Sequence, residues 1–323
     1  MAIRGKIFVA VLLALTLVAL TPAFAGDREK LGDAWWTGPL ETPNPNTLPK
    51  NAFYGETYFV VEQDNGSYNH SGTQKGAPHD NDYQSVTLFT YGLTNRVNLQ
   101  LLPAFDGVRN AGGNPPSQGM EVDNLTVRLP IQLLKYKEGG TPLSLTIAPS
   151  FIAPTGAGPD NVWTPFVGVW VQRPFWMPGG RILRVRAAQS FLFPLQDKKV
   201  LGTANCFNGA ASCEEDQGKY YKTQIGMEYS LTKHWVPAWD FYFKYGSGTT
   251  QKTIAGAALP GSCSTFTLAS GSCDSFYSMR IDPAIEYNFT GNVGIIAGVE
   301  MTVAGRNSGS YIAPQIALQW FKQ

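Results

Sequence analysis

Charge is scarce in this chain. Only 15% of its 323 residues are charged, against ~25% in ordinary soluble domains. The 25 Lys and Arg offset the 24 Asp and Glu to a net +1, which excludes nucleic-acid binding through bulk positive charge. Long hydrophobic runs are scarce too. Beyond the N-terminus no stretch approaches the ~18 consecutive apolar residues of a membrane-spanning helix, so a multi-span helical protein is excluded. An apolar content of 43% equally excludes a disordered chain. Histidine is rarer still, with three in all: His70, His79 and His234. The four cysteines, Cys206, Cys213, Cys263 and Cys273, have no histidine beside them and no zinc-ligand spacing, so no metal and no cofactor is expected.

Aromatic residues, at 12%, and 34 glycines are what the chain has in quantity. The first 25 residues read as a secretory signal peptide: Arg4 and Lys6 precede an apolar run from Ile7 to Leu20, and Ala23-Phe24-Ala25 supplies the small residues of a cleavage site. Residues 26–52 read as a periplasmic N-terminal arm. Its Pro43, Pro45 and Pro49 each remove a backbone donor and restrict the preceding residue, so the arm is extended and irregular, with Trp35 and Trp36 as anchors. An exported chain meets an oxidising compartment, and the cysteines are expected as two local disulfides, Cys206–Cys213 and Cys263–Cys273.

From residue 53 to 323 apolar and polar residues alternate. In the clearest segment Tyr221, Thr223, Ile225, Met227, Tyr229 and Leu231 alternate with Lys222, Gln224, Gly226, Glu228 and Ser230. A helix would need apolar residues at i, i+3 and i+4 instead. Segments of this kind fall at 53–64, 82–93, 96–106, 122–135, 142–154, 164–175, 181–194, 219–231, 235–246, 275–289, 292–303 and 310–322. Their connections alternate between short turns and long loops, and aromatic residues gather beside the short turns. An even strand number, alternating loop lengths and an apolar-out, polar-in pattern define the expected fold: an all-β, antiparallel transmembrane barrel of the bacterial outer membrane, about twelve strands. Its partner is outer-membrane lipid. Pro103, Pro130, Pro149, Pro237, Pro283 and Pro314 fall inside these segments and should mark bulges, kinks or strand ends.

Alternation places twelve charges in the lumen: Glu56, Arg128, Arg184, Arg186, Lys222, Glu228, Asp240, Lys244, Arg280, Asp282, Glu286 and Glu300. Six of each sign argue against strong ion selectivity, which needs a ring of one sign. The small inward residues Ser144, Thr146, Ala148, Ser150, Gly294 and Gly298 leave space for a solute. Two functions remain open: passage of a small organic solute, or a structural or surface-interaction barrel whose charges pair across the lumen and close it. A lipid hydrolase would need an activated serine. The one His-Ser neighbour pair, His70-Ser71, lies in a Gly/Asn/Ser-rich loop, so no catalytic residue is assigned. Asp64-Asn65 and Asp80-Asn81-Asp82 match no full calcium-binding loop.

Trp36-Thr37-Gly38-Pro39-Leu40 with Thr47-Leu48-Pro49, the segment Pro130-Ile131-Gln132-Leu133-Leu134-Lys135-Tyr136, and Ala153-Pro154-Thr155-Gly156 resemble the outer-membrane barrels associated with the MetA pathway of phenol degradation. The resemblance implies a transport-type channel for small organic compounds, aromatic or hydrophobic ones among them. It brings no catalytic residues.

Overall fold

The structure, a computed structural model, describes residues 29–76, 81–110, 117–156, 162–195, 198–201, 212–216, 218–247, 250–252, 258–263 and 275–323. The signal-peptide segment, His79 and Asp80 lie outside them. Twelve antiparallel strands form a closed barrel. They are β1 (Phe53–Tyr68), β2 (Asn81–Thr94), β3 (Val97–Leu102 and Ala104–Asn110) and β4 (Ser117–Val122, Leu125–Arg128 and Ile131–Leu134). Next come β5 (Ser144–Ala153), β6 (Thr164–Trp176), β7 (Ile182–Leu192) and β8 (Tyr220–Tyr229). The last four are β9 (Trp235–Gly246), β10 (Phe276–Asn288), β11 (Val293–Arg306) and β12 (Ser308–Lys322). Each strand pairs with its sequence neighbours, and β1 pairs with both β2 and β12, leaving no free edge in the wall. A closed ladder is what strands need in lipid, where unpaired backbone groups find no water. At the seam Gly55 lies opposite Trp320, and a Cβ on Gly55 would stand 2.5 Å from the indole, so the ring lies flat on the glycine backbone.

Side-chain parity is almost uniform. From β1 to β11 the even-numbered residues point inward, as the buried Glu56, Thr90, Gln132, Arg186, Glu228, Asp240 and Glu286 mark out. Odd-numbered Phe59, Trp239, Phe241, Ile285 and Val303 are exposed on the lipid face. Parity inverts in β12, where Ala313, Gln315, Ala317 and Gln319 are buried while Ile312, Ile316, Leu318 and Trp320 are exposed. A single residue, Asn307 at φ 49, joins β11 to β12, so the expected loop at 304–309 is instead strand up to a tight turn.

The six prolines expected within strands divide into two groups. Pro103 and Pro130 interrupt β3 and β4, because neither can donate to a neighbour. Pro149, Pro237 and Pro283, at odd numbers, and Pro314, at an even number in the inverted β12, sit within continuous strands with their rings on the lipid face. Beside Pro283 the β10–β11 ladder skips from Ile281–Met301 to Ala284–Gly298. Beside Pro314 the β1–β12 ladder skips from Val60–Gln315 to Gln63–Ile312.

Apart from the tight β11–β12 turn at Asn307, the short turns share one end, which is periplasmic in an outer-membrane barrel. Beyond the opposite end four short strands, Lys198–Leu201, Ser212–Asp216, Thr250–Lys252 and Ala258–Cys263, pair in that order and join the β7–β8 and β9–β10 loops. Cys206 and Cys273 lie outside the described residues, as do the side chains of Cys213 and Cys263, and with them both expected disulfides.

Candidate functional site

The lumen of the periplasmic half is filled by the arm, described from Glu29 onward. Expected as an extended arm on the periplasmic side, it enters the barrel mouth from that side and folds inward. An irregular, proline-rich segment carries many unpaired backbone groups, and the polar inner wall supplies partners for them.

The arm enters at the rim. Glu29 N donates to Gly180 O at 3.1 Å, while Trp176 Nε1 and Ser230 Oγ donate to Glu29 at 2.9 and 2.5 Å. Trp35 N bonds Lys233 O, and its indole meets His234 edge-on at 4.8 Å. Trp36 lies under Arg184, 4.1 Å from ring centroid to guanidinium carbon. Lys233 Nζ lies 4.5 Å from the Trp35 ring centroid, so both tryptophans anchor the arm against a cation.

The chain then climbs the β8–β10 wall. Thr37 N donates to Glu286 Oε2 at 2.7 Å, and Thr37 Oγ1 to Asn288 Oδ1 at 3.1 Å. Gly38, at φ 115, passes Arg186 so closely that a Cβ would stand 2.9 Å from Nη1. Leu40 enters an apolar socket of Ala238, Ile296 and Ala317. Burial of a leucine side chain is worth about 1.5–3 kcal/mol. At the deepest point Asp240 receives the N–H groups of Glu41 and Thr42 at 3.0 and 3.1 Å and the Thr42 hydroxyl at 2.5 Å. Gln224 Nε2 donates to Glu41 O at 2.6 Å.

Crossing to the β3–β5 wall, the arm meets neutral partners. Thr146 Oγ1 donates to Pro45 O at 2.5 Å and Ser144 Oγ to Asn46 Oδ1 at 2.7 Å. Gln132 accepts from Thr47 Oγ1 at 2.9 Å, and Asn98 Oδ1 from Leu48 N at 3.1 Å. Lys50 N reaches Asn95 Oδ1 at 2.9 Å in the β2–β3 turn, where the chain passes into β1. The small inward residues therefore do leave space, but the arm occupies it. A Cβ on Gly298 would lie 2.7 Å from Leu40 Cδ1, and one on Gly294 2.7 Å from Thr37 Oγ1.

The twelve charges named from alternation all hold even-numbered positions, the inward parity of these strands, and seven of them, Glu56, Arg186, Glu228, Asp240, Asp282, Glu286 and Glu300, are buried. Glu228 is fully buried between Arg184 at 2.5 Å and Arg186 at 3.2 Å. Arg280 pairs with Glu300 and the Tyr311 hydroxyl. Asp282 accepts from Gln315 Nε2 at 2.6 Å, and Glu56 from Tyr54 Oη at 2.7 Å. Asp240 and Glu286 hold the arm. Lys244 lies 4.6 Å from the Tyr220 ring centroid and Lys222 6.0 Å from that of Tyr242. Arg128 has a buried Nε with no hydrogen-bond partner. These wall ion pairs join neighbouring strands, β7 with β8 and β10 with β11, rather than spanning the lumen. The lumen-lining candidates named from alternation were charges alone, without the neutral Asn98, Gln132 and Asn288. Those share the even parity and could have been read from it.

Ser71 Oγ bonds Asn69 Oδ1 at 2.7 Å and Thr73 Oγ1 at 3.2 Å in an exposed turn, and His70 takes no part. His234 Nδ1 lies 2.6 Å from Asn288 O at the periplasmic rim. Among the described residues no group of three or more metal-ligating side chains converges.

The chain is similar in structure to an outer membrane channel from Pseudomonas putida F1, with 15% identity and a TM-score of 0.60 over 88% of this chain and 100% of that one. It is also similar to the NanC porin, with 9% identity and a TM-score of 0.43 over 84% and 100%, and to the KdgM porin, with 10% identity and 0.41 over 83% and 99%. At these identities the likeness to the first is one of fold: a bacterial outer-membrane barrel. No family model matches the chain, and no curated protein matches it.

Proposed function

We propose that the barrel is a channel for the uptake of small organic compounds, with the arm as its periplasmic plug. The observation that carries this reading is the source of the occlusion. A barrel closed for mechanical reasons would tie its own walls together across the lumen. Here the wall ion pairs run sideways between adjacent strands, and the space between the walls is taken by a separate segment of chain. That segment is held by discrete hydrogen bonds and one apolar socket, each of which can open. Both charge signs line the conduit, which suits an uncharged or weakly polar solute better than a selected ion. The resemblance to the phenol-degradation barrels supports aromatic or hydrophobic compounds as the class.

The test is removal of residues 30–48, upstream of Phe53 where β1 begins. The shortened protein, refolded into planar bilayers, is expected to conduct in discrete events several-fold larger than those of the full chain. Equal silence from both would favour the alternative of a structural barrel.

A further inference from the structure

The arm satisfies one row of the inner wall and stops short of the next. Asn98, Gln132 and Thr146 spend their side chains on Leu48, Thr47 and Pro45 of the arm, and a Cβ on Gly92 would stand 2.0 Å from Pro49 O. Just beyond this row, toward the extracellular side, β2, β3 and β4 bring Thr90, Gln100 and Arg128 into line. Thr90 lies directly opposite Gln100, and Gln100 directly opposite Arg128. Residues so paired share a face, with Cβ atoms about 4.5–5.5 Å apart. That face is the inner one, since Thr90 and Gln100 are buried while their neighbours Tyr91 and Leu101 are exposed on the lipid side.

This second row ends in polar atoms that bond to nothing. Thr90 Oγ1, Gln100 Oε1 and Arg128 Nε are all buried, and among the described residues none has a hydrogen-bond partner. Ser150, opposite Arg128 on β5, turns its hydroxyl to Ala148 O at 3.0 Å instead. Buried polar groups in folded proteins are nearly all satisfied, so three orphans side by side call for a shared partner. Their types are complementary: Arg128 Nε only donates, Gln100 Oε1 only accepts, and the threonine hydroxyl does either. Two strands further on, Trp170 on β6 lies over Gly168, where a Cβ would stand 2.6 Å from Nε1, and packs with Ala148 and Ala188. It gives the row an apolar flank.

We infer that Thr90, Gln100 and Arg128 form a binding site for an uncharged organic solute carrying a hydroxyl or amide group, held directly above the arm. Such a group both donates and accepts. Its oxygen accepts from Arg128 Nε and its hydrogen goes to Gln100 Oε1, with Thr90 as a further partner. The inference rests on the conduit reading and narrows its uncharged solutes to those with a polar hydrogen. It also sets the solute against the side of the barrel that holds the arm by neutral groups.

Calorimetric titration of the detergent-solubilised full chain, corrected for empty micelles, compares three probes of similar size. Benzyl alcohol donates and accepts, benzyl methyl ether only accepts, and toluene does neither. The alcohol is expected to bind about tenfold tighter than toluene and the ether about threefold tighter, the gain of two hydrogen bonds and of one. Gln100→Leu should bring the alcohol down to the level of the ether, and Arg128→Met should remove the ether's advantage over toluene. Thr90→Val, which keeps the shape, should lower the alcohol's preference about twofold. Heat-dependent gel mobility identifies folded barrels, and should one variant fail to fold, the others decide. If water serves these atoms instead, alcohol and toluene bind alike. That result, binding of none of the probes, or an alcohol preference untouched by the substitutions overturns the site. Each leaves the conduit standing, which falls only if the barrel without residues 30–48 stays silent in bilayers.

Discussion

The two walls that grip the arm do so by different chemistry. The β8–β10 wall uses carboxylates: Glu286 and Asp240 receive backbone N–H groups directly, over an interior in which Glu228 is fully buried between two arginines. On the β3–β5 wall the grip is by neutral groups, Asn98, Gln132, Ser144 and Thr146. A charge-assisted hydrogen bond contributes about 1.5–3 kcal/mol and a neutral one about 0.5–1.5. The difference makes the first wall the stronger anchor and the second the side on which the arm loosens first.

Substitutions that strip one wall at a time probe this asymmetry. The largest effect is expected from Glu228→Ala, which strands two arginines in the interior. Loss of one partner from a buried ion pair costs about 3–5 kcal/mol, read as a lower urea midpoint for unfolding from lipid vesicles. A lipid-face change gives the scale for damage that leaves the arm alone: Ile225→Arg, outward on β8, should cost about 2–4 kcal/mol if it lies at mid-membrane, with unaltered conductance. Next comes Asp240→Asn, which keeps the shape and removes the charge beneath three arm donors. It should weaken the arm by about 1.5–3 kcal/mol, seen as faster labelling of a cysteine placed at Thr42. The smallest effect is expected at the neutral wall, where Asn98→Ala should weaken the hold by about 0.5–1.5 kcal/mol. Equal labelling rates in the last two variants would erase the distinction between the walls.

How much of this was legible in the sequence depends on distance along the chain. Strands were legible because alternation is local: Lys222, Gln224, Glu228 and their neighbours declare their face within a few residues, and the same parity named the inward charges. The destination of the arm was not, because its contacts join residues about 50 to 250 positions apart, as Thr37 does with Glu286, and no period relates them. Gly294 and Gly298 were read as open space because a missing side chain looks the same whether solute or polypeptide fills the gap. The prolines needed the lipid face to be understood. Pro149 and Pro237 stay within strands because their outward rings leave the carbonyls available, as Pro149 O accepting from Leu129 N demonstrates. The segments that carried the family resemblance, Trp36 to Leu40 with Thr47 to Pro49 and the stretch around Gln132, turn out to be the arm and part of its receptor.

Both ends of the described part of the arm sit at one rim. Glu29 is fastened to the β6–β7 turn, while Lys50 is fastened to the β2–β3 turn, and only the residues around Glu41 reach inward. The segment is therefore a bight pushed into the barrel, not a thread drawn through it. A thread must pass its whole length and its charged terminus along the bore in order to leave. A bight withdraws sideways through the mouth by which it came, with no terminus crossing the wall and no knot to undo. Its return is equally direct, since β1 keeps one end tethered at the opening and the search for the site is confined to a volume the size of the arm itself.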